Sequence, residues 1–529
     1  MDLNICISGA AGDGVKEAGE LCGRIFADLG YNVFIYQEYQ SIIRGGHNAS
    51  VVRISDKKIH SHRKYYELLI CLEDYIYRMH SPYLRGDVIF DSKFSCEGIG
   101  IPMTEIVKEE HEPMIFRNAA SIGALSAYFG IDFDTVEVMF RERFGEKAED
   151  DIVIAGSAYE YYMKNYSPKM EIKRNGPGKK LVSGAVAVAE GMVNAGLEYY
   201  YAYPMTPASP VLHYLVRRKG VVAYQPESEI SAISMTVGSA IAGKRSATGT
   251  SGGGFALMCE SIGMAGIAEI PVLIIEAQRS GPSTGMATYS GQEDLEFVLH
   301  PSHGEFPLVV ASPYSIEDGF RMAGELLNLA WKYQTPAILL TDKHLVESIE
   351  TASIDENSVK KQDIAIIDRS EEIVKRYRIT ESGVSDYAVP PAIVKINSNE
   401  HDEFGLTTDE AEIRKKMHEK RMKKDKLIER EVSDSAYHLF FRGQECIVTW
   451  GSTFGAVYEV AEELGYRVAV IRYMRPFIPP KLRKAVVVES NYTGQLAKML
   501  REKADIEVES ILKWDGRPFT PEELRERLG

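Results

Sequence analysis

The sequence predicts a multidomain α/β protein, and three observations carry that expectation. Short apolar runs that read as strands alternate with longer runs of helical periodicity along most of the chain. Glycine-rich turns follow several of the apolar runs, where an α/β unit turns from strand to helix. The length of 529 residues, at about 150 per domain, gives roughly three or four domains and enough chain to bury several cores.

The opening segment, 1–166, starts with an apolar strand at 3–8. A glycine cluster follows (Gly9, Gly12, Gly14), then a helical pattern over 15–29 and a strand at 32–36. Apolar runs at 68–72 and 87–90 fit the same sheet. Residues 167–180, SPKMEIKRNGPGKK, are rich in Pro, Gly and Lys and read as an exposed linker. The segment 181–350 alternates again: helix 183–195, strand 199–203, strand 221–224, helix 228–242, a glycine-rich turn at 248–254, a helix, and strand 272–276. It reads as a second α/β domain with helices on both sheet faces. Residues 351–443 are polar, and the mixed-charge run at 412–431 predicts a long solvated helix within a connector. The last segment, 444–529, carries strands at 445–450, 467–471 and 485–489, with a glycine turn at Gly451, and reads as a small third α/β domain. No short-period repeat occurs.

Composition narrows the function classes. Lys plus Arg total 61 against 76 Asp plus Glu, a net charge of −15, which argues against a nucleic-acid partner. The six cysteines (Cys6, Cys22, Cys71, Cys96, Cys259, Cys446) form no C-x-x-C pair. No metal centre held by this chain alone is expected, and sparse thiols suit the reducing cytoplasm. The N-terminus lacks the basic start and apolar core of a signal peptide. No apolar run reaches the roughly 18 residues of a membrane helix, so no membrane association is expected.

Four motifs carry chemistry. In Tyr203-Pro-Met-Thr-Pro-Ala-Ser209 two prolines fix the turn around Thr206. Its hydroxyl lies past a parallel strand, where α/β folds bind ligands. On local physics alone, Thr206 or Ser209 is expected to cap the helix 210–217. In Gln225-Pro-Glu-Ser-Glu229 two carboxylates precede an apolar helix. An acidic first turn stabilised by the helix dipole explains them most simply, and a carboxylate in a dry cleft is the functional alternative. Thr248-Gly-Thr-Ser-Gly-Gly-Gly254 presents backbone amides at a strand-to-helix turn. Gln278-Arg-Ser-Gly-Pro-Ser-Thr-Gly285 places Arg279 at a strand end, its planar fork suited to a carboxylate, or merely at the surface.

In this order and spacing the motifs resemble the α subunit of the 2-oxoacid:ferredoxin oxidoreductases. That family carries Tyr-Pro-Ile-Thr-Pro, here with Met205, and a Glu/Gln-Ser-Glu helix start, here Glu227 to Glu229. It carries Thr-Ser-Gly-Pro-Gly, here with Gly253, and Gln-Arg-x-Gly-Pro-Ser-Thr-Gly. His303-Gly-Glu305 and Glu489-Ser-Asn-Tyr-Thr-Gly-Gln-Leu496 match further stretches. The first segment resembles the family's γ subunit through Gly9 to Val15 and Arg44-Gly-Gly46, so the likeness spans nearly the whole chain as a γ–α fusion.

The resemblance implies a γ-like domain over 1–166, a doubly wound thiamine pyrimidine-binding-type domain over 181–350 and a transketolase-C-like domain over 444–529. It implies conversion of a 2-oxoacid and CoA to acyl-CoA and CO2, with electrons passing singly through iron–sulfur clusters to ferredoxin. Thiamine diphosphate supplies the carbon chemistry. Glu229 matches the glutamate that bonds the aminopyrimidine ring, Arg279 the holder of the substrate carboxylate, and Thr206 a hydroxyl that meets the substrate. Tyr203, Pro204, Ser251 and Gly252 fall in the cofactor's vicinity, and Arg44, Gly45 and Gly46 are candidates for CoA contact. A separate β subunit would hold the diphosphate, Mg²⁺ and a four-iron, four-sulfur cluster.

Gly12-Asp-Gly14 imitates the metal–diphosphate motif of thiamine enzymes. The Asn-Asn pair that should follow is missing, with only isolated Asn32 and Asn48, so Asp13 reads as a turn residue. Two departures from the family stand out. Met286-Ala-Thr-Tyr289 lacks the basic residue common after this loop, which bears on substrate range. Ala11-Gly-Asp-Gly14 replaces Gly-Gly-Gln-Gly and adds a carboxylate expected to repel a phosphate. His401-Asp-Glu403 is a tempting metal triplet, but neighbours on a loop rarely converge on one ion. Two other functions compete: a nucleotide-binding regulatory or scaffold protein using the turn at 9–14, and an oxidoreductase of the same group specific for aryl pyruvates.

Overall fold

The computed structural model describes residues 1–42 and 45–529. They form two compact units. The first comprises Met1–Val182, Ser348–Ser353 and Thr520–Leu528; the second comprises Ser183–Glu347, Ile354–Phe519 and Gly529.

In the first unit an eight-stranded sheet runs in the order Ile99–Ile101, Leu84–Asp91, Tyr66–Cys71, Asp2–Ala11, Gly45–Ser55, Asn32–Tyr39, Ile349–Thr351, Leu181–Ser183. Asp2–Ala11 pairs parallel with Tyr66–Cys71 and antiparallel with Gly45–Ser55. Alternation along these strands builds two cores. Ile5, Ile7 and Ile70 pack with Ile25, Phe26 and Leu125 of the helices Val15–Asp28 and Arg117–Tyr128, while Cys6, Tyr36, Val51 and Leu69 form a second cluster. The opening strand–turn–helix matches the sequence pattern. Gly12 and Gly14 take φ of +104° and +73°, which a side chain would disfavour.

The stretch 167–180 is exposed over most of its length and forms no helix or strand, as its composition suggests, but it is tied down at three points. The amide of Ile172 donates to the Phe129 carbonyl (2.9 Å), that of Asn175 to Leu29 (2.7 Å) and that of Lys179 to Ala27 (2.9 Å), and the Ile172 side chain is buried. The Phe129 and Leu29 carbonyls lie just past the last turns of two helices, which have no donors of their own, while that of Ala27 also accepts the Gly30 amide. Composition reports the polarity of a segment but not the open carbonyls nearby.

The second unit holds a seven-stranded sheet in the order Tyr473–Arg475, Val309–Ala311, Pro336–Asp342, Val272–Gln278, Ser246–Thr250, Tyr199–Tyr201, Val222–Tyr224. All its pairings are parallel except that of Tyr473–Arg475 with Val309–Ala311. A five-stranded sheet, with Cys446–Trp450 flanked by Arg467–Ile471 and Lys484–Glu489, lies in the same unit. The sequence reading divides this unit among 181–350, 351–443 and 444–529. Pairing of Tyr473–Arg475 with Val309–Ala311 joins the first and last of these through one sheet, satisfying an otherwise bare strand edge.

The charged helix Ala411–Val432 forms where its pattern predicts, but it is not simply solvated. Met417, Lys420, Arg421, Lys424, Ile428 and Val432 are buried along one stripe. Partners outside the helix neutralise the charges. Lys420 donates to the Glu269 carboxylate at 2.5 Å, Lys424 bonds the same group, and Arg421 pairs with Glu400. A charge pattern along one segment cannot reveal carboxylates that only tertiary packing brings to it.

Candidate active site

The residues singled out in the second unit follow the C-terminal ends of its parallel strands, the ligand side of an open α/β sheet. Tyr203 to Thr206 follow Tyr199–Tyr201, Glu229 follows Val222–Tyr224, Ser251 and Gly252 follow Ser246–Thr250, and Arg279 follows Val272–Gln278.

Glu229 opens the helix Glu229–Ile241. Ser228 is the cap, its Oγ accepting the Ser231 amide at 3.2 Å. Of the two acids in this turn, Glu227 is exposed and bonds the Ser231 hydroxyl, whereas Glu229 is only 4% exposed. Its Oε1 has no hydrogen-bond partner. A solvated acidic turn therefore does not describe Glu229. The helix start has instead carried an acceptor into the interior, where an unmet bond is costly.

Gly254 explains how the acid fits. A Cβ there would lie 2.1 Å from Thr250 Oγ1 and 2.7 Å from both Cγ and Oε1 of Glu229. Ser251 precedes the helix Gly252–Ile267 but makes no capping bond, and its buried Oγ is also unpartnered. Thr250 Oγ1 approaches Met205 Sδ at 3.9 Å, joining the glycine-rich turn to the proline-flanked loop. In that loop the expected cap does not form: the helix Ser209–Leu215 starts after Ala208 with no side-chain cap. The Thr206 carbonyl instead accepts Arg279 Nη1 at 2.9 Å. Arg279 is thus a held arginine, not a free surface one. Glu229, Thr250, Met205, Thr206 and Arg279 form one continuous constellation; Tyr203 is 39% exposed and Pro204 half-buried in the same loop.

Sequence reasoning missed two acids here. Glu276, on the strand Val272–Gln278, is fully buried, and neither of its oxygens meets a donor. Burial pushes its carboxyl well above the usual range, and Asp294 adds to that. Asp294 donates its amide to Gln278 Oε1 at 3.0 Å, and burial raises its carboxyl to about 6. The Asp294 Oδ2 lies 2.8 Å from where a Gly252 Cβ would stand, so glycine admits it. Burial also lowers the affinity of Arg279 for its proton, with Asp294 and Glu276 opposing that. A glutamate inside the apolar run Val-Leu-Ile-Ile-Glu was the available signal.

The loop after Arg279 closes on itself. Ser280 donates its amide to the Tyr289 carbonyl at 3.3 Å, and Met286 donates to Ser280 at 2.9 Å. Ser290 donates to the Gly516 carbonyl at 2.9 Å, and the Arg517 guanidinium lies over the Tyr289 ring, 5.3 Å from its centroid. A cation therefore stands beside the position whose basic side chain is missing.

The other candidates sort themselves by their bonds. Asp13 accepts the Ala10 amide at 2.8 Å and the Arg117 guanidinium at 2.8 Å. It is a turn residue, and Arg117 is shared between it and Glu73, also at 2.8 Å, so one cation faces two carboxylates. Gly45 and Gly46 take φ of +75° and +66°, and the Tyr75 hydroxyl donates to the Gly46 carbonyl at 2.5 Å. Arg44 lies outside the described residues. His401 is buried, with Nδ1 2.7 Å from the Asn399 carbonyl and its ring against Tyr377. Asp402 accepts the amides of Phe404 and Leu406, and Glu403 accepts that of Ile379. The triplet thus serves three separate local tasks. Among the described residues no helix is long and apolar enough to cross a membrane.

Comparison with known proteins fits this geometry. Residues 190–420 match the family described as "Pyruvate flavodoxin/ferredoxin oxidoreductase, thiamine diP-bdg", and residues 4–161 match "Pyruvate ferredoxin/flavodoxin oxidoreductase". The 2-oxoacid:ferredoxin oxidoreductase subunit alpha of Saccharolobus solfataricus is 31% identical, the alignment covering 100% of this chain and 97% of that protein. The 2-oxoglutarate oxidoreductase subunit KorA of Mycobacterium tuberculosis is 30% identical over 77% of this chain and 67% of its own length. The solved 2-oxoglutarate:ferredoxin oxidoreductase from Magnetococcus marinus, with 2-oxoglutarate, coenzyme A and succinyl-CoA bound, superposes with a TM-score of 0.89 at 28% identity, covering 100% of this chain and 99% of that one. The chain belongs to the 2-oxoacid:ferredoxin oxidoreductase family, as an alpha subunit.

Proposed function

We propose that this subunit, joined to a β subunit, oxidatively decarboxylates 2-oxoglutarate to succinyl-CoA and CO2 and passes the electrons to ferredoxin. The single observation that carries the assignment of roles is the buried, unpartnered Glu229 Oε1. Such an acceptor fits a ring N–H of the cofactor's aminopyrimidine. Ser251 Oγ, also buried and unpartnered, and the open backbone at Gly252 and Gly254 fit a ligand entering here. When bound, thiamine diphosphate supplies the carbon nucleophile that this chain lacks.

The chain's own residues then have distinct tasks. Glu229 holds the ring and biases its proton arrangement, which is acid–base work through a hydrogen bond. Arg279, fixed by the Thr206 carbonyl, presents its remaining donors to the substrate carboxylate and orients the departing group. Thr206 sets the edge of the cleft, with Tyr203 and Pro204 on the same loop. The diphosphate, Mg²⁺ and the iron–sulfur cluster belong to the β subunit in this reading, and Gly45 and Gly46, with Arg44, contact CoA.

The preference for a dicarboxylic 2-oxoacid is supported by Arg517, a second cation beside the loop that follows Arg279. The bound ligands of the Magnetococcus marinus enzyme point the same way. The test is co-expression with the β subunit and measurement of viologen-dye and ferredoxin reduction. Pyruvate, 2-oxoglutarate, branched and aryl 2-oxoacids are compared, with and without CoA. The highest kcat/KM is expected for 2-oxoglutarate and strictly with CoA. An aryl pyruvate in first place would overturn the preference; dye reduction without any 2-oxoacid would overturn the role assignment.

A further inference from the structure

Glu276 is a buried acid for which the reaction described above has no use. It stands on the strand that delivers Arg279, three residues before it. Its register partner on the neighbouring strand is Thr250, whose hydroxyl borders Glu229 across Gly254. Asp294 reaches the same place from another direction, its amide bonded to Gln278 and its carboxylate against Gly252. The charged groups that act on Glu276 are Asp294, Asp342 and Arg279; Glu293 acts in turn on Asp294.

Neither Glu276 oxygen meets a hydrogen-bond donor within the chain. A carboxyl and a carboxylate can bond each other only if one carries a proton, and two close carboxylates cannot both ionise cheaply. We propose that the Glu276–Asp294 pair holds one proton between its two carboxyl groups, and that Glu276 is thereby a positioning residue for the substrate. With one negative charge, the pair only balances Arg279, whose free donors still face the cleft. With two, it would outweigh the guanidinium and repel the incoming carboxylate. The directions of titration agree: burial first, then Asp294, keeps Glu276 protonated, while Asp294 loses its proton at about 6. These two steps belong to the pair as a whole.

The inference rests on the assignment of Arg279 to the substrate carboxylate. Its test uses the complex with the β subunit, with KM for 2-oxoglutarate and kcat measured from neutral to alkaline pH at saturating CoA. In the wild type KM should rise about tenfold at the alkaline end as the second proton leaves, a size set by one added unit charge near Arg279. The alkaline rise in KM should not be shared by kcat. Glu276→Gln and Asp294→Asn each prevent double ionisation, so each should flatten the KM profile. Either variant suffices if the other fails to fold. Persistence of the wild-type KM rise in a folded variant, or a wild-type KM that does not change with pH, overturns the proposal. Absence of 2-oxoacid-dependent activity in the wild type would instead overturn the functional reading beneath it.

Discussion

Glu269 stands just before the strand Val272–Gln278 and Glu276 within it; both are fully buried, yet they are treated in opposite ways. Glu269 precedes the strand. It accepts bonds from Lys420 and Lys424, and Arg376 donates to its backbone carbonyl at 2.7 Å. Burial alone would raise its carboxyl, but Lys420, Lys424 and Arg376 outweigh that and hold it well below the usual range. Glu276 stands near the strand's end with no donor and a second acid beside it, and its carboxyl rises. The lesson concerns where bonds are left open. Before the strand, the buried Glu269 carboxylate is satisfied by Lys420 and Lys424 and serves structure. At the C-terminal edge Glu229, Ser251 and Glu276 keep unmet atoms, and that is where a ligand is expected.

The largest effect expected is at the open end. Glu229→Gln should lower 2-oxoacid-dependent dye reduction by about 10²–10⁴-fold, the usual weight of acid–base catalysis. The circular dichroism spectrum should not change. Near-normal activity in that variant would make Glu229 a structural acid and erase the contrast.

The closed end should fail by instability. Glu269→Gln leaves two buried ammonium groups without their carboxylate and should cost about 3–5 kcal/mol in denaturant unfolding. The signs of the pH dependence separate the two acids. Glu269 has a lowered folded-state value, so its contribution is complete above its unfolded value of about 4.5 and is lost as pH falls through the folded value. The deficit of Glu269→Gln should hold through neutral pH and shrink in acid. Glu276 has a raised folded-state value, so keeping it protonated costs stability as pH climbs above about 4.5. Glu276→Gln should therefore be more stable than the wild type at neutral pH, and the gain should vanish near pH 4.5. Thermal melts at a series of pH values read both. The same sign for both variants would break the comparison.

The smallest effect expected is on selectivity. Arg517→Ala should lower kcat/KM for 2-oxoglutarate relative to pyruvate by several-fold, because an exposed cation attracts a carboxylate by only about 0.2–1 kcal/mol. An unchanged ratio would confine Arg517 to packing against Tyr289.

Much of this was legible in the sequence. The alternation of strand and helix shows in the apolar runs, and the turn at Gly12 to Gly14 shows in its glycines, because both follow from local periodicity and backbone freedom. The order of four motifs pointed to the family. What they do stayed ambiguous: Thr206 read best as a cap and Glu229 as a solvated acid, since a segment does not reveal what packs against it.

The sequence by itself determined the α/β class, the motif order and, through them, the family. Tertiary structure alone decided that the linker is tied to helix ends, that the charged helix is buried on one face, and which acids are paired. The physical reason is range. Propensity and periodicity act over a few residues, whereas the fate of a buried charge depends on groups far along the chain. Lys420 lies 151 residues from the glutamate that neutralises it. Glu276 and Glu269 are the same residue type near the same strand, and their difference appears only when the chain has folded around them.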